Sequence, residues 1–471
     1  MSSVAHAQQD VERFQRQLEQ IRRDTILAVD PNVPLDQRTF VDYGAYVTAG
    51  YLSLDDNNDE NHVLRQYELF PYYRLNVDGV HELFLRGRVG WRDFNDGDSF
   101  DGRGDERIDP DLDAGYYRFD LARSRAAYRG EPIDYNIILK GGRDLVYWAN
   151  GLVLSQDIDG VMVDLSWRGG IELGLIAGVT PTRTVDFDAS RPQFDHNTRR
   201  GFYGAMLSKA LGAHRPYVYA LAQRDYNDDD PLVQGSVVTN FEYDSYYVGF
   251  GSAGSFGNRW LYGAEIVHEG GSALSNSFEG GSIFIMPIDQ TKEDIDAWAM
   301  DVRIDYLLAD VRRSRFTGEF ISATGDDDRV LSTSDTFGGN TSGTDDTAFN
   351  GFGLLNTGLA FAPQVSNLTS FRMGYSTFPF ADGGGAMSRI QVGTDWFLFY
   401  RTDDEAVIDE PLLEDSDGEP FLGWEPDIFL NWQITSDVTL SVRYGIFFPN
   451  GNVFESDEPR HFIYTGVTYA F

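Results

Sequence analysis

The chain has 471 residues, with 74 acidic against 38 basic side chains, a net charge of −36 and no cysteine. That balance excludes a nucleic-acid partner, because phosphate binding needs a basic surface. The missing thiols exclude disulfides, cysteine nucleophiles and thiolate metal sites. Aromatic residues make up 14% of the chain, yet the mean hydropathy is −0.34. Such a mixture arises where half of each strand faces hydrocarbon and half faces water. No run of roughly 18 apolar residues occurs, so no transmembrane helix is expected, whereas membrane-crossing strands of about 9 to 11 residues leave no such run.

Residues 1–7 end in Ala5, His6 and Ala7 before Gln8, which reads as the tail of a secretory signal with its small-residue cleavage site. From Gln8 to Ala28 the residues Val11, Phe14, Leu18 and Ile21 form a narrow apolar stripe at helical spacing, flanked by Arg13, Arg16, Arg22 and Arg23. Pro31 and Pro34 close this helix, and the linker runs to residue 36. The helix is expected on the periplasmic side, either plugging the mouth of a barrel or pairing with copies of itself into a homo-oligomer.

From Phe40 onward the period changes to two, and residues 37–471 are read as the barrel. Val41, Tyr43, Ala45, Val47, Ala49 and Tyr51 form one apolar face. In the next clear segment Leu83, Leu85, Gly87, Val89 and Trp91 alternate with Glu82, Phe84, Arg86, Arg88, Gly90 and Arg92. A continuous apolar face opposite a charged one needs lipid on one side and water on the other. Similar alternation recurs around Trp298–Tyr306 and Val438–Ile446, and about 18 such segments can be counted, an even number of the kind that single-chain bacterial barrels use.

Their connections alternate in length. Short links at Asp78-Gly79, Gly130 to Pro132, Gly169-Gly170, Gly212 to His214, Gly254 to Gly257, Ala309 to Val311, Ala381 to Gly385 and Thr435 to Asp437 take turns with longer ones. The longer ones are Asp55 to Asn61, Asn95 to Ala114, Tyr147 to Gln156, Thr182 to Asn197, Asn227 to Asn240, Gly271 to Asp294, Gly325 to Val365, Thr402 to Pro420 and Pro449 to Glu458. Tight turns on the periplasmic side, together with both termini, and long loops outside are the pattern of an outer-membrane barrel. The loop Gly325 to Val365 is expected to fold partly into the lumen, because Phe349, Phe352, Leu354 and Leu355 are too apolar for a free tip. The chain ends in an alternating strand closed by Phe471, a terminal aromatic of the kind read by the barrel-assembly machinery.

The stretch Gly141 to Val161, with Gly142, Arg143, Asp159, Gly160 and Val161, is similar to the opening motif of the alginate-export family of barrels, with Asp144 where that family carries Gln. Phe349 to Pro379 resembles that family's penultimate long loop, and Phe447 to Gly451 its phenylalanine-proline-glycine element. The resemblance implies an 18-stranded barrel that passes a substrate through its lumen, an anionic polysaccharide among the options.

The pore-lining candidates are Arg74, Glu82, Arg86, Arg88, Arg92, Lys140, Arg143, Arg303, Arg372 and Arg443. Arginines on the polar face of strands favour anions in a pore. Alternatively they pair with Glu68, Glu82, Asp120, Asp164, Asp301, Asp305 and Glu319 into a structural ladder, which still leaves a polar, hydrated lumen. Acids cluster in the loops, for example Asp228 to Asp230, Asp326 to Asp328 and Asp403 to Glu405. They are either a solvated, charge-repelling surface or oxygen ligands for loop-bound Ca²⁺ that bridges to lipopolysaccharide phosphates. No other cofactor is expected. His268-Glu269 with Ser272 is the one hydrolase-like cluster, and it lacks both nucleophile-elbow and H-E-x-x-H spacing, so no enzyme is expected. The expectation is an all-β outer-membrane antiparallel barrel with a short N-terminal helix. It would act as a passive channel for small polar or anionic solutes or an exported polysaccharide. A structural or adhesive surface barrel in contact with lipid and lipopolysaccharide is the other reading.

Overall fold

The computed structural model describes residues 39–55, 60–99, 104–196, 198–279, 286–408, 419–454 and 456–471. The expected N-terminal helix Gln8 to Ala28 and the signal-peptide end lie outside the described residues. The barrel strands are β1 (Thr39–Asp55), β2 (Asn61–Val77), β3 (His81–Phe94), β4 (Glu106–Asp120), β5 (Tyr135–Trp148) and β6 (Leu154–Trp167). They continue as β7 (Ile171–Val179), β8 (Arg200–Lys209), β9 (His214–Asp225), β10 (Tyr243–Phe256), β11 (Trp260–Leu274) and β12 (Lys292–Leu307). The circuit ends with β13 (Arg315–Ala323), β14 (Leu368–Thr377), β15 (Ile390–Tyr400), β16 (Phe421–Gln433), β17 (Val438–Pro449) and β18 (Arg460–Ala470). Each pairs antiparallel with its neighbours, and β18 returns to β1 through Tyr46↔Ala470 to Leu54↔Phe462, closing an 18-stranded sheet. Closure satisfies backbone groups that hydrocarbon could not.

The alternation read from sequence becomes two faces. Tyr43, Tyr73, Tyr117, Tyr135, Trp167 and Trp260 are exposed near the turn side, and Tyr51, Tyr67, Trp91, Tyr203, Tyr246 and Trp298 near the loop side. These are the two interfacial aromatic girdles, with Leu85, Val161, Val248, Ile304 and Leu398 exposed between them. Asp78 and Gly79 both take positive φ, 56° and 66°, as the central pair of a tight hairpin turn demands, and Val80 N–H closes it on the Val77 carbonyl at 2.9 Å. Both ends of the barrel lie on this rim: Thr39 pairs with Val77, and Phe471 exchanges two hydrogen bonds of 2.9 Å with Ala45.

Three expected connections differ: the link expected at Ala381 to Gly385 runs from 378 to 389 and holds two 3-10 turns, Ala381–Gly383 and Ala386–Arg389. The link around Gly130 to Pro132 is longer than a turn, because helix α1 (Leu121–Arg129) precedes it, capped by the Asp120 side chain and closed by left-handed Gly130. Its apolar residues are few and none is buried, so no apolar period marks it. In the stretch Asn95 to Ala114, β4 starts at Glu106. Its Asp109, Pro110 and Asp111 look like loop in sequence but lie within the strand, with Asp111 opposite Arg88 of β3 and Asp109 and Pro110 in a shift of register between Arg88 and Gly90.

Candidate functional site

The lumen is narrowed by the barrel's own loops. In the connection from β13 to β14, Ala348, Phe349, Ala360 and Phe361 are buried. Two strand carboxylates hold this segment. Glu269 on β11 accepts the Asn350 N–H at 2.8 Å and the hydroxyls of Tyr243 and Tyr247 at 2.6 and 2.9 Å. Glu425 on β16 accepts the N–H groups of Leu359, Ala360 and Phe361 at 2.5, 2.8 and 2.8 Å. An irregular segment inside a barrel must find acceptors for its N–H groups, and inward carboxylates supply them. Phe361 also stacks on Phe447 with centroids 4.2 Å apart, and Phe352 meets Phe187 and Phe202 edge-on. The expected partial infolding of this loop is what the structure shows.

The hairpin tip between β5 and β6 also turns inward: Leu152, Val153 and Leu154 are fully or nearly fully buried, and the Asn150 N–H reaches Glu265 on β11 at 2.9 Å. The third element is the loop 180–199. There Arg200 holds Asp186 with two bonds of 2.9 and 2.7 Å, and Arg191 contacts Asp225 and Asp229. Burial alone would push Asp186 upward, but Arg200 and Arg191 outweigh it and hold its carboxyl at about 2. Asp188 accepts from Thr336 at 2.6 Å, joining this loop to the β13–β14 connection.

Two of the cavities among the described residues border the inner loop. One of about 290 Å³ is bordered by Arg88, Asp111, Arg143, Arg183, Phe349 and Leu355, and another of about 300 Å³ by Arg315, Asn356, Arg372, Asp395 and Arg443. Leu355 and Thr357 line the first while Asn356 between them lines the second, so this short segment of the inner loop separates them.

The predicted lumen residues are nearly all found in ion pairs. Arg74 meets Glu82 at 3.3 Å, Arg88 meets Glu68 at 2.6 Å, and Arg92 meets Glu106 at 2.8 Å. Arg86 binds Asp113, Lys140 binds Asp144, Arg303 meets Asp305 at 3.2 Å, and Arg372 meets Glu319 at 3.1 Å. Arg443 lies on the face of β17 shared with buried Ser441 and Gly445 and borders the second cavity. The ladder of mixed charge therefore describes the inner wall better than a ring of free arginines. Arg143 departs from the alternation. Its register with Asp159 puts it on the face of Leu139 and Val161, which are exposed outward. Its guanidinium meets Asp159 at 2.7 and 2.8 Å and the Leu112 carbonyl at 2.7 Å.

The hydrolase-like cluster comes apart: His268 faces outward against Asp296 at 2.8 Å, while Glu269 points in. Sequence reasoning passed over Glu425 and Arg200, whose signal was a charge on the inward parity of a strand, and Arg191, which lies mid-loop and carried no such signal. Asp326, Asp327 and Asp328 are the group of three carboxylates among the described residues whose ligand atoms lie within 4.8 Å of one another.

No family model matches the chain, and no curated protein matches it either. Solved structures do. OccK8 (OprE) of Pseudomonas aeruginosa is similar at a TM-score of 0.52 and 11% identity, over 92% of this chain and 98% of that one. OpdK of the same organism, solved with vanillate, gives a TM-score of 0.51 and 11% identity over 92% and 98%. OpdO gives 0.52 and 11% over 92% and 97%. This is a likeness of fold. The chain has the closed 18-stranded architecture that these Pseudomonas aeruginosa barrels share.

Proposed function

We propose that this protein is a bacterial outer-membrane channel for passive passage of small polar solutes, anions among them. The observation that carries the reading is a lipid-faced closed barrel whose lumen is narrowed by its own loops yet keeps cavities bordered by charged side chains on both sides of Asn356. The likeness to OpdK, an outer membrane protein of Pseudomonas aeruginosa solved with vanillate, supports the same class. Arg74, Glu82, Arg86, Arg88, Arg92, Lys140, Arg303, Arg372 and Arg443 would supply the polar wall, and paired charges there favour hydration over strong selection. Steady ohmic steps in planar bilayers and swelling of liposomes in small sugars and acids test the reading. A stably inserted but silent barrel would overturn it in favour of a structural or adhesive role.

Export of a polysaccharide is the finer reading suggested by the alginate-export resemblance. Support comes from the meeting of its motif residues, with Arg143 on Asp159 and Gly142 opposite Gly160. Weighing against a polymer is the narrowing at Asn350 to Phe361. Retention of labelled oligo-uronates by liposomes that leak small acids would reject it. The same proposal takes lipopolysaccharide as neighbour, with Ca²⁺ at the loop acids as one bridge, and the assembly machinery as reader of Phe471.

A further inference from the structure

The barrel wall is not continuous at every height. β4 pairs with β5 only from Gly115↔Arg143 down to Asp120↔Ile138, although β4 continues upward along β3 to Glu106 and β5 continues along β6 to Trp148↔Leu154. β6 likewise leaves β7 above Asp159↔Val179. The upper half of the β5–β6 hairpin has therefore left both neighbours and bent into the lumen. The bend runs along Gly142, Gly160 and Gly178, which are register partners. A Cβ on Gly142 would run into the Gly115 carbonyl, and Gly142 holds φ at 132°, so the close approach needs glycine.

Two of the edges so released differ in how they are covered. That of β6 is taken by the inner loop, with Phe352 N–H to Val153 O at 2.8 Å and Ser155 N–H to Phe352 O at 2.8 Å. That of β4, from Arg107 to Leu112, has the Arg143 guanidinium on the Leu112 carbonyl and carries Asp109, Pro110 and Asp111, the charges and proline that blunt a strand edge. Register sets Arg107 beside Trp91 and Leu112 beside Gly87. This edge thus lies between the two aromatic girdles, where an open edge is tolerated only against water or protein. The first cavity touches both sides of the wall here, since inward Arg88 and Asp111 and outward Leu112, Arg143 and Asp157 all border it.

We propose that this break is a lateral port between the lumen and the outer leaflet, and that it takes single-chain anionic amphiphiles of the alkyl-carboxylate class. Ile108, Leu112, Pro181 and Val185 offer an apolar wall for the chain. The other cations of the cavity are already paired, Arg88 with Glu68 and Arg143 with Asp159. Arg183 has no carboxylate within ion-pair distance among the described residues, is exposed, and borders the cavity, so it takes the head group. Arg143 is the latch of the seam.

The inference rests on the barrel spanning a membrane but not on its conducting ions, and the test keeps the two apart. The full chain in lipid nanodiscs carries a spin label on Leu145→Cys, at the break on the outward face of β5, or on Leu139→Cys, outward below it. The expected result is access of a water-soluble nickel chelate to position 145 and only of oxygen to 139. Lipid-only access at 145, or access by neither reagent as under a second copy, overturns the port. A dansyl-labelled undecanoate should bind saturably, be displaced by decanoate and not by gluconate, and bind about tenfold more weakly to Arg183→Gln. Absent saturable binding, or equal competition by gluconate, overturns the ligand class. Conductance from the same preparation tells whether the channel reading stands or falls separately.

Discussion

The connection between Ala323 and Leu368 is held in two different ways along its length. Its outer part is tied by buried charge: Arg329 grips Asp346 at 3.1 and 2.6 Å, and Thr336 bonds Asp188 of the neighbouring loop. Its inner part is tied by aromatic packing and by the carboxylates of Glu269 and Glu425 on backbone N–H groups. Charged side chains can be matched pair by pair among loops beyond the membrane. Inside the barrel the backbone itself is the problem, and acceptors must come from the wall. The outer part should therefore respond to pH and charge substitution, and the inner part to loss of single acceptors.

The largest effect is expected for Glu425→Ala. Three N–H groups lose a charged acceptor, at about 1.5–3 kcal/mol each, so the inner loop should loosen by about 5 kcal/mol and single-channel traces should become larger and noisier. Glu425→Gln, which keeps an oxygen, should fall in between. Wild-type traces from Glu425→Ala would show that aromatic packing alone holds the segment.

Next comes Arg200→Met, which leaves Asp186 buried and unpaired at about 4 kcal/mol. Protease nicking within 180–199 should rise while the barrel stays inserted. Because the folded Asp186 sits at about 2, below its unfolded range, its contribution is present above that range and is lost as pH falls through about 2. Nicking that is unchanged in the variant would mean that the other contacts of Arg191 suffice.

A smaller effect belongs to Asp326. Burial, then the nearby Asp346, push its carboxyl up to about 7 against the pull of Arg329. The protonated form thus favours the folded loop, and that stability is lost as pH rises through about 7. Proteolysis of the outer loop should speed up between pH 6 and pH 8 in the wild type and be flat in Asp326→Asn. A flat wild-type profile would remove Asp326 from the account. The smallest change is expected for Lys292→Ala, whose pair with Glu242 at 2.6 Å is about half exposed on both sides. Thermal stability should shift by less than about 1 kcal/mol, and a larger shift would make that surface a contact in its own right.

The sequence by itself determined the wall. Period-two patterning around Leu83–Trp91 and Val438–Ile446, the Asp78-Gly79 turn and the terminal Phe471 are local features, and the closed sheet realises each where it was expected. They are legible because strand parity and turn chemistry depend on neighbours two or three residues away. The apolar residues of the inner loop were legible too, since Phe349 and Phe352 have no stable place in water. The tertiary structure alone decided what those loops meet. Glu425 receives a segment more than sixty residues upstream, and Asn150 reaches Glu265 across the lumen. Nothing near either carboxylate in the chain marks that pairing. Arg143 shows the same limit. Its charge suggested a lumen side chain although its parity is that of outward Leu139, and bending the β5–β6 hairpin away from β4 and β7 turned that outward face onto a cavity. Whether two strands stay paired along their whole length is settled by competition with long-range loop contacts, and that competition has no local signature in sequence.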